Sequence, residues 1–254
     1  MTRSDAPHPE HQVRMRQSAR AEFDKWAASY DRSFLNELVF LPTIRACREE
    51  LARWHGAEAL VGKPPVAPDG PADGSLAASD GDSVVHAGYR LLDVGCGTGN
   101  LLACLAGDDE ARELVGLDFS PEMVRLAGEK FAAHPAAERL RVVHGDAEHL
   151  PFEAGAFDAL CCCHSFHHYP HQAAVIREFW RVLRPGGLLI LIDGFRDNVV
   201  GWIVFDVAVA LVERHVHHAA WSEIRRWVEE AGFARLTQRK LNVLAPLLVN
   251  VATR

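Results

Sequence analysis

Between residues 19 and 55, apolar side chains recur every three to four positions: Phe23, Trp26, Ala27 and Tyr30, then Leu38, Leu41, Ile44 and Leu51. That spacing predicts two or three amphipathic helices. From residue 89 the pattern changes to short apolar runs, which predict strands at 89–94, 114–118, 140–144, 157–163 and 188–193. The fourth run is apolar throughout, as expected of a buried parallel strand. Helical segments separate the strands. One opens at Asn100, and a second follows Ser120, with Ser120 as N-cap, Pro121 in the first turn and Glu122 matched to the helix dipole. A third, over 173–183, places Val175, Ile176, Phe179, Val182 and Leu183 on one face and is stopped by Pro185, Gly186 and Gly187. Strand alternating with helix implies a parallel sheet covered on both faces.

Beyond the fifth strand, residues 199–212 are apolar almost throughout but too few to span a bilayer. They predict a lid helix near 199–220 over the mouth of a site, and the same stretch leaves room for a homodimer or a membrane-surface contact. Ser222 is expected to cap a helix that Gly232 ends, and 233–240 with 243–249 would form a closing antiparallel pair. Residues 1–18 are polar, with frequent proline and histidine, and read as a disordered tail. Residues 62–87, rich in Pro, Gly, Ser, Asp and Ala, read as a flexible insertion between a helical cap at 19–61 and a core at 88–254.

At 254 residues the chain has room for one α/β domain with additions. A formal charge of −7 gives no basic footprint for a phosphate backbone, so a nucleic-acid partner is disfavoured. The first twenty residues carry no apolar core of signal-peptide type and no stretch reaches membrane-helix length, so the cytoplasm is the expected compartment, without stable membrane insertion. Six cysteines, three of them consecutive at 161–163, lack the spacing of a disulfide framework and fit reduced thiols packed as small hydrophobes.

Chemistry concentrates at LLDVGCGTGN, residues 91–100. Strand, glycine turn and helix follow one another directly. Glycine permits φ > 0 and close approach of a ligand to the main chain, and the amides of the following helix point over the turn. A dinucleotide-binding turn would carry a third glycine where Asn100 stands, and no G-K-[ST] follows to make a phosphate-binding Walker loop.

With VGLDFS ending at Asp118 and Phe119, then GDAEHLPF, FD and RVLRPGG, the motif order resembles the class I S-adenosylmethionine (SAM) dependent methyltransferases. Within them it is most similar to the small-molecule group that includes the ubiquinone/menaquinone enzymes. The resemblance covers roughly residues 23–53 and 88–194. It implies an α/β, Rossmann-like, seven-stranded and mostly parallel sheet with its last strand antiparallel, helices on both faces, an N-terminal helical cap, and SAM as cofactor.

The same resemblance assigns cofactor-binding residues. Gly95, Cys96 and Gly97 would meet the amino-acid portion, and Asp93 would orient its ammonium. Asp118 would accept from the ribose hydroxyls or, alternatively, cap the next helix. Asp146 and the Ala147 amide would meet adenine, while Phe119 would wall the purine or sit in the core. His164 falls at the methionine portion, and Tyr30, in AEFDKWAASYD, would close over the cofactor.

Methyl transfer from a sulfonium is an in-line displacement, for which placement and exclusion of water matter most. Where the acceptor must lose a proton, CCCHSFHHYPH offers His168 as base, where many relatives carry histidine. A zinc site from His167 and His171 with a cysteine or Asp193 is disfavoured by Pro170 between them, so no metal is expected. His215, His217 and His218 read as solvated helix-end residues. The function expected is methyl transfer to a small, partly apolar acceptor. Its rivals are a SAM-binding regulatory protein without turnover, a protein or peptide methyltransferase, and a nicotinamide-linked enzyme.

Overall fold

A computed structural model describes residues 40–61, 88–194, 219–242 and 247–254. Its helices and strands, in chain order, are α1 (Leu41–Val61), β1 (Tyr89–Val94), α2 (Asn100–Leu105), β2 (Ala111–Asp118), α3 (Pro121–Ala132), β3 (Leu140–His144), β4 (Phe157–Cys163), α4 (Gln172–Val182), β5 (Leu183–Gly194), α5 (Trp221–Glu230), β6 (Ala234–Asn242) and β7 (Leu247–Thr253). The disordered tail, most of the expected cap including Tyr30, the insertion, the lid and the second histidine group lie outside the described residues.

The strands form one sheet in the order β3-β2-β1-β4-β5-β7-β6. Pairing is parallel from β3 through β5, and β7 runs antiparallel to both neighbours, giving the mostly parallel seven-stranded sheet that the motif order implied. The chain winds outward in one direction from β1 and in the other from β4. The point where the winding reverses therefore lies between them, where ligands of open α/β sheets bind, beyond the carboxyl ends of the strands.

Two cores sandwich this sheet. Because strand side chains alternate faces, Leu160 and Cys162 of β4 join Val175, Ile176, Phe179 and Val182 of α4 and Ile224 and Val228 of α5 on one side. Ala159 and Cys161 join Leu101, Leu102 and Leu105 of α2, Ala127 and Phe131 of α3, and Cys47 and Leu51 of α1 on the other. The α1 helix docks through Thr43, Ala46, Cys47, Glu50, Leu51 and Trp54, all buried at helical spacing. Its far end is anchored by Trp54 Nε1, which donates to Gly186 O at 3.1 Å, and by a Glu50–Arg239 ion pair at 3.0 Å. No helix among the described residues is long and apolar enough to cross a membrane.

Several boundaries differ from those read in the sequence. Strand β2 starts at Ala111, three residues early. Strand β5 starts at Leu183, directly from α4, and Pro185, Gly186 and Gly187 fall in a register shift opposite Phe157 and Ala159 rather than in a loop. The last strand is described over Leu247–Thr253, running four residues past the expected end at 249, while 243–246 lie outside the described residues. Helix α5 is capped at Ala220, with Ser222 already inside it. There Glu223, in the first turn, reaches back so that its Oε2 accepts from the Ala220 amide at 2.9 Å.

Phe179 is fully buried on the α4 face of the sheet. Phe179→Ala is expected to cost about 3–5 kcal/mol, the usual range for truncating a buried phenylalanine. Urea unfolding followed by circular dichroism would measure it as a lowered midpoint with the slope unchanged.

Candidate functional site

One cavity opens over the carboxyl ends of β1, β2 and β4, and the start of α1 forms part of its wall. Asp93, Gly95, Cys96, Gly97, Asp118, Phe119, Asp146, Ala147, His164 and His168 all line it. Every described residue expected at the site is thereby brought together, from four separate stretches of chain.

The turn after β1 is fastened to β2. The amides of Gly95 and Cys96 both donate to Leu117 O, at 2.8 and 3.1 Å, and the Gly97 amide donates to Asp118 Oδ2 at 2.8 Å. The two glycines serve different ends. A side chain on Gly95 would run into Ser165 and Tyr169, whereas one on Gly97 would meet no atom and stand in the cavity. Gly97 is thus the place of ligand approach, and Gly95 the place where the β4 exit packs under the turn. That packing is itself hydrogen-bonded: Tyr169 Oη donates to Ser165 Oγ at 3.0 Å, and Ser165 Oγ to Val94 O at 3.1 Å. The Cys96 thiol lies over Gly116 of β2, which leaves its main chain toward the cavity.

Three aspartates surround this turn. Asp93 is buried, and burial, then Cys47 and Asp118 nearby, hold its carboxyl well above the ordinary range. Burial also raises Asp118, against amide hydrogen bonds from Ser120, Gly97 and Phe119. Its Oδ1 accepts from the Ser120 amide at 2.9 Å, so the helix-start role and the turn-holding role coexist in one carboxylate, with lone pairs to spare. Asp146 Oδ1 accepts from the Glu148 amide at 3.0 Å. Phe119 is 40% exposed, outside the core, and stacks on His144 with ring centroids 6.3 Å apart.

The β4 exit carries the histidines. His164 adopts φ 57°, and its Nε2 lies 2.8 Å from Thr43 Oγ1 of α1, with Phe40 edge-on at 5.2 Å. Burial lowers its pKa to about 4, so the ring is neutral at pH 7. His167 is locked to the Asp193 carboxylate through both its amide, 2.9 Å, and Nδ1, 2.7 Å. His168, whose ring lies 4.0 Å from that of His167, faces the cavity. His171 turns instead to Glu148 at 3.0 Å, so the two rings considered for zinc serve different carboxylates.

Sequence reasoning missed Thr43, Phe40, Ser165 and Tyr169. Thr43 had a signal: it stands one turn before Cys47 on the buried stripe of α1. Ser165 and Tyr169 had none, since their role depends on a turn distant in sequence.

Among the described residues, the lining includes four carboxylates, Asp93, Asp118, Asp146 and Glu148, and no lysine or arginine, although Lys130 reaches the lining residues Thr98 and Asn100. Such a cavity suits a ligand that is cationic and rich in hydrogen-bond donors. It does not suit a dinucleotide, whose phosphates need donors and positive charge.

Residues 92–191 match the family model described as "Methyltransferase domain". Among curated proteins, the chain is 36% identical over 116 residues to a demethylmenaquinone methyltransferase of Deinococcus radiodurans, covering 46% of this chain and 47% of that one. A protein of the same name from Lactiplantibacillus plantarum is 29% identical over 174 residues, covering 60% and 73%. The chain spans about half the length of the first of these relatives. Among solved structures, a SAM-dependent methyltransferase from Thermotoga maritima superposes with a TM-score of 0.61 at 16% identity, over 91% of this chain and 97% of that one. The [4+2]-cyclase SpnF superposes at 0.57 with 21% identity, over 67% and 77%. The glycine turn and the ordered acids agree with the domain match, and residues 92–191 carry a domain similar to the methyltransferase family.

Proposed function

We propose that this chain transfers a methyl group from SAM to a small, partly apolar acceptor of the quinone type named in its relatives. The observation that carries the reading is the cavity's acidity around an open Gly97. SAM presents an ammonium, a sulfonium, two ribose hydroxyls and an exocyclic amine, all of them positive or hydrogen-bond donating. When bound, it supplies an electrophilic methyl group on the sulfonium sulfur. Asp93 meets the ammonium, a cation that returns its raised carboxyl to the ionised form. Asp118 accepts from the ribose hydroxyls with the lone pairs that Gly97 and Ser120 leave. Asp146 and the Ala147 amide read the adenine, and the exposed Phe119 ring covers its face. His164, neutral, adds no positive charge beside the sulfonium, and Tyr30 closes the site from the N-terminal segment.

Phe40, Ile44, Leu101, Met123 and Pro170 give the remaining wall an apolar character suited to a ring-bearing acceptor. His168 takes the acceptor's proton. The −7 charge and the acidic cavity both disfavour a nucleic-acid substrate. The expected compartment remains the cytoplasm, and the homodimer contact considered at 199–212 lies outside the described residues.

Calorimetric titration with SAM, S-adenosylhomocysteine and NAD, followed by a methyl-transfer screen over quinols, phenols and amines, tests the proposal. Micromolar binding of the first two and turnover of a quinol are expected. Binding without turnover of any acceptor would make the chain a SAM-binding protein, and binding of NAD alone would overturn the reading. Asp118→Ala is expected to weaken S-adenosylhomocysteine at least about tenfold, since it strips partners from a partly buried ribose; an unchanged affinity would remove the ribose assignment.

The neutral His164 also predicts a pH dependence. An unfolded chain binds this proton near pH 6.5 and the folded one only near 4. Stability is therefore lost as pH falls from about 6.5 to 4, by up to about 3 kcal/mol, and His164→Gln should flatten that slope. Asp93 and Asp118, raised in the folded state, act in the opposite sense, so the difference between wild type and variant in urea unfolding at each pH isolates the histidine.

A further inference from the structure

The cap helix and the sheet meet sulfur to sulfur. Cys47 of α1 and Cys163, the last residue of β4, place their Sγ atoms 3.6 Å apart. Cys161 shares their face of the sheet, while Cys162 points to the opposite core. Only Cys163 of these lines the cavity, whereas Cys47 and Cys161 are fully buried. The contact continues the i, i+4 stripe of α1: Thr43 meets His164 and, one turn on, Cys47 meets Cys163.

We propose that Cys47 and Cys163 are a redox-modification site, oxidised by peroxide entering through the cavity to a disulfide that ties α1 to the end of β4. A thiol pair already in contact has only to close from 3.6 Å to bonding distance, about 2 Å. The arrangement also supplies a nucleophile. Hydrogen bonds from Cys161 and Cys163 pull the Cys47 thiol well below its ordinary range, against the opposing cost of burial, and raise its two partners. Cys47 is thus the thiolate of the pair, and the short contact lets it take the Cys163 proton in a minor fraction of molecules, which leaves Cys163, the sulfur at the cavity, as the attacking thiolate.

The chemistry closes on these two sulfurs. The Cys163 sulfur, having passed its proton to Cys47, attacks one peroxide oxygen; the O–O bond breaks and hydroxide leaves, giving a sulfenic acid. The Cys47 sulfur then attacks the Cys163 sulfur. The S–S bond forms, and the sulfenic hydroxyl departs as water with the Cys47 proton. Together the two sulfurs lose two electrons and the peroxide gains them. This site is independent of the acceptor's identity and of whether methyl transfer occurs.

Exposed Cys104 is the competing thiol and is replaced by serine throughout the test. The full chain is treated with a few equivalents of hydrogen peroxide, alkylated, digested and sequenced by fragmentation mass spectrometry. The expected product is a Cys47–Cys163 linked peptide pair, two hydrogens lighter than its parts, that dithiothreitol separates. The link should vanish in Cys163→Ser and persist in Cys161→Ser. Recovery of Cys47 and Cys163 as alkylated thiols after peroxide is consumed would overturn the proposal, as would a link from Cys47 to Cys161 in the Cys104→Ser protein. Fragmentation of that protein assigns the sulfur directly, so the result stands even where a serine variant fails to fold.

Discussion

The Asp118 carboxylate is the joint on which the site depends. One oxygen holds the Gly97 amide of the turn after β1, the other holds the Ser120 amide at the start of α3, and its own carbonyl accepts from Gly145 after β3. Three loops from neighbouring parallel strands are thereby set against each other by one residue at the end of β2. A parallel sheet brings strand ends together, but it does not fix the loops that leave them. Hydrogen bonds to a carboxylate are among the stronger ones, and here they act where burial has already removed competing water. The raised pKa of Asp118 reflects that tension: burial opposes the charge, and the three amides answer part of the penalty. A cofactor donating two further hydrogen bonds would answer more of it.

On the other side of the cavity the corresponding element is α1. Its contacts run from Thr43 at His164, through Cys47 at Cys163, to Glu50 at Arg239 and Trp54 at Gly186, so a single helix face is registered against β4, β5 and β6. The Glu50 carboxylate is buried and paired, a contact costly to break on one side only. This registration converts a cap into part of the cavity wall, because Phe40, Thr43 and Ile44 line the same space as the glycine turn. His164, in a left-handed conformation that non-glycine residues seldom adopt, is held at this seam by its amide to Ile192 O and by Thr43.

The strands and core helices were legible because their signal is periodic and local. Val175, Ile176, Phe179 and Val182 announce one face of α4 whatever the tertiary context, and the apolar run of β4 announces a strand with both faces covered. Boundaries failed where a local rule met a tertiary one: Pro185 to Gly187 look like a loop, yet β4 and Arg254 draw them into β5. The site was legible to the extent that its residues fall at strand ends in a fixed order, which is why Asp93, Asp118, Asp146 and His164 converge in space. Partnerships were not. That Gly95 makes room for Tyr169 while Gly97 opens on the cavity cannot be read from two identical residues two positions apart. Nor can a Thr43–His164 contact spanning 121 positions.

Fold alone does not settle chemistry here, since a protein described as a [4+2]-cyclase shares this sheet as closely as structures described as methyltransferases do. What narrows the chemistry is charge. A cavity whose described lining has four carboxylates, a neutral His164 and no lysine or arginine would be a poor host for phosphates and a good one for a sulfonium. Displacement at that sulfonium consumes positive charge, so carboxylates placed too near the sulfur would stabilise the reactant more than the transition state. The acids are instead distributed around the turn after β1 and at the ends of β2 and β3, while the β4 exit presents histidines, Tyr169 and Pro170. On the proposed reading, binding and reaction are separated within one space: charge would hold the ends of the cofactor, and a less charged wall would be left for the transfer.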